Sequence, residues 1–179
     1  MEEFRLTHRL ATLADLAVLL TLMDVAISEL QKPFLGSGQI KASRTIMGLD
    51  TQLIEDLTYF IVEANGRVAG CGGWSRRATL YGGDQTPGRD AKLLDPRTDP
   101  AKVRAMYTHP LYARQGIGRL ILTLCENDAR SEGYLKVELM ATMSGEPLYR
   151  ACGYEAIERI KDERGGAPVP LVRMHRELA

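Results

Sequence analysis

The chain has little net charge, few cysteines and no long apolar run, and each absence removes a class of function. Lysine plus arginine balance aspartate plus glutamate at 23 each, which argues against a nucleic acid or an anionic membrane as partner. No apolar stretch approaches the ~18 residues of a bilayer span. The longest candidate, 13–30, is interrupted by Asp15, Thr21, Asp24, Ser28 and Glu29, as an amphipathic helix would be. The three cysteines, Cys71, Cys125 and Cys152, show no C-x-x-C spacing. Neither a disulfide framework nor a metal site is therefore expected. No basic and apolar leader opens the sequence, so a reducing cytoplasm is the expected setting.

What is present suits one globular domain. A hydrophobic share of 45% over 179 residues is ordinary for a folded chain of this size. The most informative stretch is 105–122, Ala-Met-Tyr-Thr-His-Pro-Leu-Tyr-Ala-Arg-Gln-Gly-Ile-Gly-Arg-Leu-Ile-Leu. It reads as a strand, a turn forced by Pro110, a basic glycine-bearing loop and the start of a helix. Leu120, Ile121, Leu124 and Cys125 recur at helical spacing. Glycines at 116 and 118 let backbone N–H groups approach an anion, and the positive end of the helix dipole faces the same point. Arg114 and Arg119 flank them, which suits a diester carrying two negative charges. The loop reads as a pyrophosphate cradle; the alternative is a glycine-assisted helix start without a ligand. A dinucleotide fingerprint would need a third glycine where Ile121 stands, and a P-loop would need a lysine after the glycines.

This x-x-x-G-x-G turn, with the frame Pro147-Leu-Tyr149-Arg-Ala-Cys-Gly153-Tyr154, resembles the GNAT N-acetyltransferase superfamily. The resemblance covers most of the chain. It implies a single α/β domain over 1–179, a mixed sheet of about seven strands flanked by about four helices, splayed between strands 4 and 5. It also implies acetyl-CoA as co-substrate, held through its pyrophosphate at Arg114, Gln115, Gly116, Ile117, Gly118 and Arg119. The pantetheine would lie along a strand at Met106, Tyr107 and Thr108, where a backbone N–H near Met106 would meet the oxyanion. Tyr149 would protonate the departing thiolate; the alternative is a tyrosine packed against the coenzyme for shape alone. The partner implied is a small-molecule or peptidyl amine, and a homodimer is allowed. An acyl-CoA-binding or sensing module on the same fold is the other reading.

The remaining elements follow in order. Phe4–Ala11 suits a first strand, and Thr12 with Asp15 makes a capping-box-like helix start. Pro33 and the next glycines end that helix, and Gln39–Met47 is expected as a second. Thr58–Ala64 and Arg67–Trp74 flank Asn65-Gly66, the strongest short hairpin signal. Gly70, Gly72 and Gly73 suggest a bulge or the close approach of another backbone. Segment 75–101 turns to Gly, Pro, Asp, Arg and Thr, an insertion over the acceptor site or a solvated excursion. Strands at Lys102–Thr108, Leu135–Ala141, Tyr154–Ile160 and Val169–Met174 complete the set. In the second of these, Lys136, Glu138 and Met140 are expected outward and Leu135, Val137 and Leu139 inward. No general base stands out among His109, Glu63 and Glu138.

Overall fold

Asn65 and Gly66 take φ of 48° and 78°, the pair of positive values that a tight hairpin needs to match strand twist. The turn joins β2 (Tyr59–Ala64) to β3 (Arg67–Ser75) with Ala64 opposite Arg67. A computed structural model describes residues 4–178; residues 1–3 and 179 of the expected domain lie outside it. β1 (Leu6–Leu10) adds antiparallel to β2, and β4 (Ala101–Thr108) adds antiparallel to β3. β5 (Lys136–Thr142) runs parallel to β4, then pairs antiparallel with β7 (Val169–Glu177), and β6 (Glu155–Asp162) closes the edge. The result is one seven-stranded mixed sheet, ordered β1-β2-β3-β4-β5-β7-β6.

Helices cover both faces, which is why β2 is a continuous apolar run rather than an alternating one. α4 (Ile117–Ser131) sets Ile117, Ile121, Leu122, Cys125 and Ala129 against Phe60, Val62, Trp74 and Val103. α1 (Leu16–Leu30) sets Leu19, Leu22, Met23, Ala26 and Ile27 against Tyr59, Ile61, Cys71 and Tyr107 on the other face. The glycines of β3 make this sandwich thin. A Cβ on Gly70 would stand 2.5 Å from Ile117 Cγ2, and one on Gly72 would stand 2.6 Å from Ile121 Cγ2. At Gly70 and Gly72 the close approach is by side chains of α4, and at Gly73 by another backbone, where a Cβ would run into Thr58 O. Thr12 N donates to Asp15 Oδ2 (2.8 Å) at the start of the first helical segment, as the capping box requires.

Three expectations need correction. The second helix, α2, spans Ser37–Ser43 instead of Gln39–Met47, and its chain leaves the helix at Arg44. A further helix, α3 (Thr51–Glu55), follows, capped by Asp50 through Gln52 N. Glu138 does not face solvent: it is 3% exposed, paired with Lys102 and Arg173. Leu135, expected inward, lies before the strand and is 62% exposed. β5 is covered on both faces, so alternation there cannot separate core from solvent. Among the described residues no helix is long and apolar enough to cross a membrane.

Candidate functional site

β4 and β5 pair only at Ala101–Val137 and Lys102–Glu138. Beyond Lys102 the two strands diverge and the sheet is open. On its other edge β4 carries a bulge: Tyr107 pairs with Cys71 and Arg104 with Gly73, so Ala105 and Met106 oppose Gly72 alone. Ala105 takes φ of 50°, a conformation costing an L-residue about 1–2 kcal/mol. Such a bulge turns the local backbone and re-aims its side chains. Tyr59 holds it, donating its hydroxyl to Ala105 O at 2.8 Å. Burial raises the Tyr59 pKa well above its ordinary value, which keeps the phenol a donor.

The open edge leads to the glycine turn. Arg114 and Gly116 take φ of 66° and 83°, and Gly116 is the N-cap of α4. The N–H groups from Gly116 to Arg119 therefore have no acceptor inside the helix. Ile117 is buried and anchors the turn, while Arg114, Gln115, Gly116 and Arg119 are exposed. None of the ion pairs among the described residues uses Arg114 or Arg119. The two glycines have different reasons to be there. Around Gly116 a Cβ would meet nothing within 4 Å, so backbone conformation selects the residue. At Gly118 a Cβ would stand 2.7 Å from Leu148 Cδ2 and 4.0 Å from Thr108 Oγ1. β4, α4 and α5 (Glu146–Ala151) converge there.

Pro147 opens α5, and Tyr149 on it turns back into the divergence. Its hydroxyl lies 3.6 Å from Met106 Sδ, and its ring packs at 5.8 Å from the ring of Tyr154. The side chain is half-buried, and desolvation pushes the phenol above its ordinary value of 10. Met106, Thr108, the turn and Tyr149 thus gather around one opening in the sheet. Tyr107 lines the cleft behind this opening, beside Gly48. It is buried on the α1 face, and its hydroxyl accepts from Gly48 N at 2.8 Å.

Behind the opening is a cleft of about 630 Å³, counting its mouth. Met47, Tyr81, Arg104, Met106, Met140 and Tyr149 are among its walls. Segment 76–100 roofs it as a tied-down strap. Leu94 N donates to Arg76 O and Ala78 N to Lys92 O, and Thr79 meets Asp90 through backbone and hydroxyl. The strap is fastened to the body by Gln85 Nε2, which donates to Arg44 O and Met47 O, and by Thr86 Oγ1, which donates to Thr45 O. Arg104 fixes it from below, donating to Thr79 O, Gly82 O and Asp50 Oδ2. The side chains of Arg104 and Asp50 are 2% and 1% exposed, and Arg89 of the strap completes the group at 2.7 Å from Asp50 Oδ1.

A family model for an acetyltransferase (GNAT) domain matches residues 55–156, more than half of the chain and the whole of this opening. The chain belongs to the GNAT acetyltransferase family. No curated protein matches it in sequence. Solved structures share its fold at low identity. A GCN5-related N-acetyltransferase from Rhodopseudomonas palustris superposes with a TM-score of 0.70 at 18% identity, covering 96% of this chain and 94% of that one. PaiA N-acetyltransferase from Thermoplasma acidophilum, solved with coenzyme A, gives 0.65 at 14%, covering 97% and 99%. YncA from Salmonella typhimurium, solved with acetyl-CoA, gives 0.62 at 17%, covering 97% and 94%.

Within this GNAT domain, Asp50, Tyr81 and Arg104 were not legible as site residues. Lys102 and Arg104 alternate with apolar neighbours, a pattern that reads as a solvated strand face, but the strap covers that face. The side chains weighed as bases lie elsewhere. His109 caps a short turn with Nδ1 accepting from Leu111 N. Glu63 pairs with Arg9, and Glu138 with Lys102 and Arg173. No Asp, Glu, His or Lys among the described residues lines the cleft. Among the described residues, no group of three or more His, Cys, Asp or Glu is placed to hold a metal.

Proposed function

We propose that the protein transfers an acetyl group from acetyl-CoA to an amine by direct attack in a ternary complex. One observation carries the reading: the open β4 edge is continuous with the N-terminus of α4 at one end and with the roofed cleft at the other. A coenzyme with its pyrophosphate on the N–H groups of Gly116–Arg119 would meet Arg114, Gln115 and Arg119 around it. Its pantetheine arm would follow β4 past Thr108, Tyr107 and Met106. The thioester then falls beside Tyr149, with the acceptor approaching from under the strap.

The chemistry follows from these positions. The neutral amine nitrogen attacks the thioester carbon, the C–N bond forms, and the carbonyl oxygen becomes an oxyanion. A backbone N–H near Met106, re-aimed by the bulge, stabilises it; such donors are worth ~10²–10³ in rate. The C–S bond then breaks, and the thiolate takes the Tyr149 proton. A phenol held above its ordinary pKa remains protonated at neutral pH, as an acid must. The ammonium proton leaves to water and water returns a proton to Tyr149, since among the described residues no side-chain base lines the cleft.

Titration calorimetry with acetyl-CoA, followed by release of coenzyme A in the presence of amines, tests the reading. Binding and amine-dependent release are expected. Tight binding without release by any amine would leave an acyl-CoA-binding module instead. Absence of binding would remove both.

A further inference from the structure

We infer that the acceptor is a monoamine whose amino group sits on an uncharged, apolar body, and that amines bearing a second cation are rejected. The inference rests on the acetyltransferase reading and names its substrate class. Ile46, Met47, Leu80, Met106, Met140 and Leu171 give the cleft its apolar surface, beside polar surface of similar extent from Tyr81, Arg104, Thr142 and the backbone. Three of the apolar residues are methionines, whose unbranched thioether chains adapt to varied apolar shapes. Two of the polar side chains that reach the cleft, Arg104 and Tyr81, are already engaged. Both terminal nitrogens of Arg104 are taken by Thr79 O, Gly82 O and Asp50. The Tyr81 hydroxyl donates to Asp162 Oδ2 at 2.7 Å, and the Arg164 guanidinium lies 5.4 Å from the centre of the Tyr81 ring.

Recognition of a second ammonium would need a carboxylate, and among the described residues the buried carboxylates around the cleft each have their own cation. Asp50 is held by Arg104 and Arg89, Glu138 by Lys102 and Arg173, and Asp162 by Arg164. An extra ammonium in this cleft would be buried beside guanidinium groups with no counter-ion, a costly state. The same surroundings favour the neutral form of the attacking amine, because desolvation and nearby positive charge both disfavour an ammonium. An apolar acceptor and the missing base are thus two consequences of one wall chemistry.

Three acceptors of equal length decide it: hexylamine, 1,6-diaminohexane and 6-aminohexanoate, which differ only in the far end. With acetyl-CoA saturating, kcat/KM for hexylamine is expected to exceed that for the diamine at least tenfold. From butylamine to hexylamine it should rise by roughly fourfold per methylene. Met140→Glu supplies an unpaired carboxylate and should shift the hexylamine-to-diamine ratio toward the diamine at least tenfold. Met47→Glu on a different segment serves the same purpose should the first variant not fold. Equal or better use of the diamine or the amino acid by the wild type would overturn the substrate class while leaving the acetyltransferase reading intact. No turnover of any of the three, with coenzyme A released by some other amine, overturns the substrate class alone; bound acetyl-CoA with release by no amine overturns both.

Discussion

The two ends of the opening in the sheet are built in opposite ways. The proposed coenzyme end is one contiguous stretch, from Ala105 to Arg119, and its working parts are backbone: a bulge, three left-handed residues and free N–H groups. The acceptor end is assembled from side chains on remote segments, with Met47, Tyr81, Arg104, Met140 and Leu171 each on a different element or connection. A backbone cradle tolerates changes of side chain and gives the same ligand site in many sequences. An assembled cleft depends on every tie that holds its pieces, so its substrate can change with few substitutions. The difference predicts that damage at one end should spare the other.

The largest effect is expected where the strap is fixed from below. Asp50→Ala leaves Arg104 without its carboxylate and Arg89 with Asp84 alone, and breaking a buried pair on one side costs about 3–5 kcal/mol. Denaturant unfolding would read this directly, and replacing Arg104 and Asp50 together by Met and Leu should cost less than Asp50→Ala alone. Next comes Tyr149→Phe. It keeps the ring beside Tyr154, so acetyl-CoA affinity should hold while kcat falls ~10²–10³. Because burial raises this phenol above 10, it should impose no high-pH limb on the wild-type rate below about pH 10. A high-pH limb centred near 9 that vanishes in the phenylalanine variant would contradict the raised value.

Untying the strap should separate the two ends with a gentler touch. The double substitution Gln85→Ala/Thr86→Ala removes its bonds to Arg44 O, Met47 O and Thr45 O, each worth about 1 kcal/mol. Acceptor KM should rise about tenfold with the acetyl-CoA Kd unchanged; equal loss of both would make the strap part of the coenzyme site. The smallest effect is expected from Arg114→Ala/Arg119→Ala. Both side chains are exposed, so acetyl-CoA should bind a fewfold to about tenfold more weakly, the more so at low salt.

Sequence reasoning reached the two ends unequally for the same physical reason. Gly116, Gly118 and their arginines are neighbours in the chain, and the conformation they need is written in residue type. The hairpin at Asn65-Gly66 and the α4 seam through Ile121 and Cys125 were legible likewise, from local chemistry and period. The cleft was not legible, because nothing local links Tyr81 to Asp162 or Asp50 to Arg104. α3 escaped notice because five residues carry too little period, although Asp50 before Thr51 is a recognisable cap. Glu138 was misplaced because a charged residue in a strand normally marks solvent, whereas here Lys102 and Arg173 neutralise it in the interior.

The central claim is that a backbone cradle at the start of α4 holds acetyl-CoA. Gly116 sits at φ 83° and a Cβ there would meet nothing within 4 Å, so Gly116→Val acts through a conformation that a β-branched residue resists. Acetyl-CoA should be titrated by calorimetry into wild type and Gly116→Val, with circular dichroism and thermal unfolding verifying that both are folded. The account expects binding to the wild type and at least tenfold weaker binding to the variant. Equal affinity in two folded proteins would contradict it.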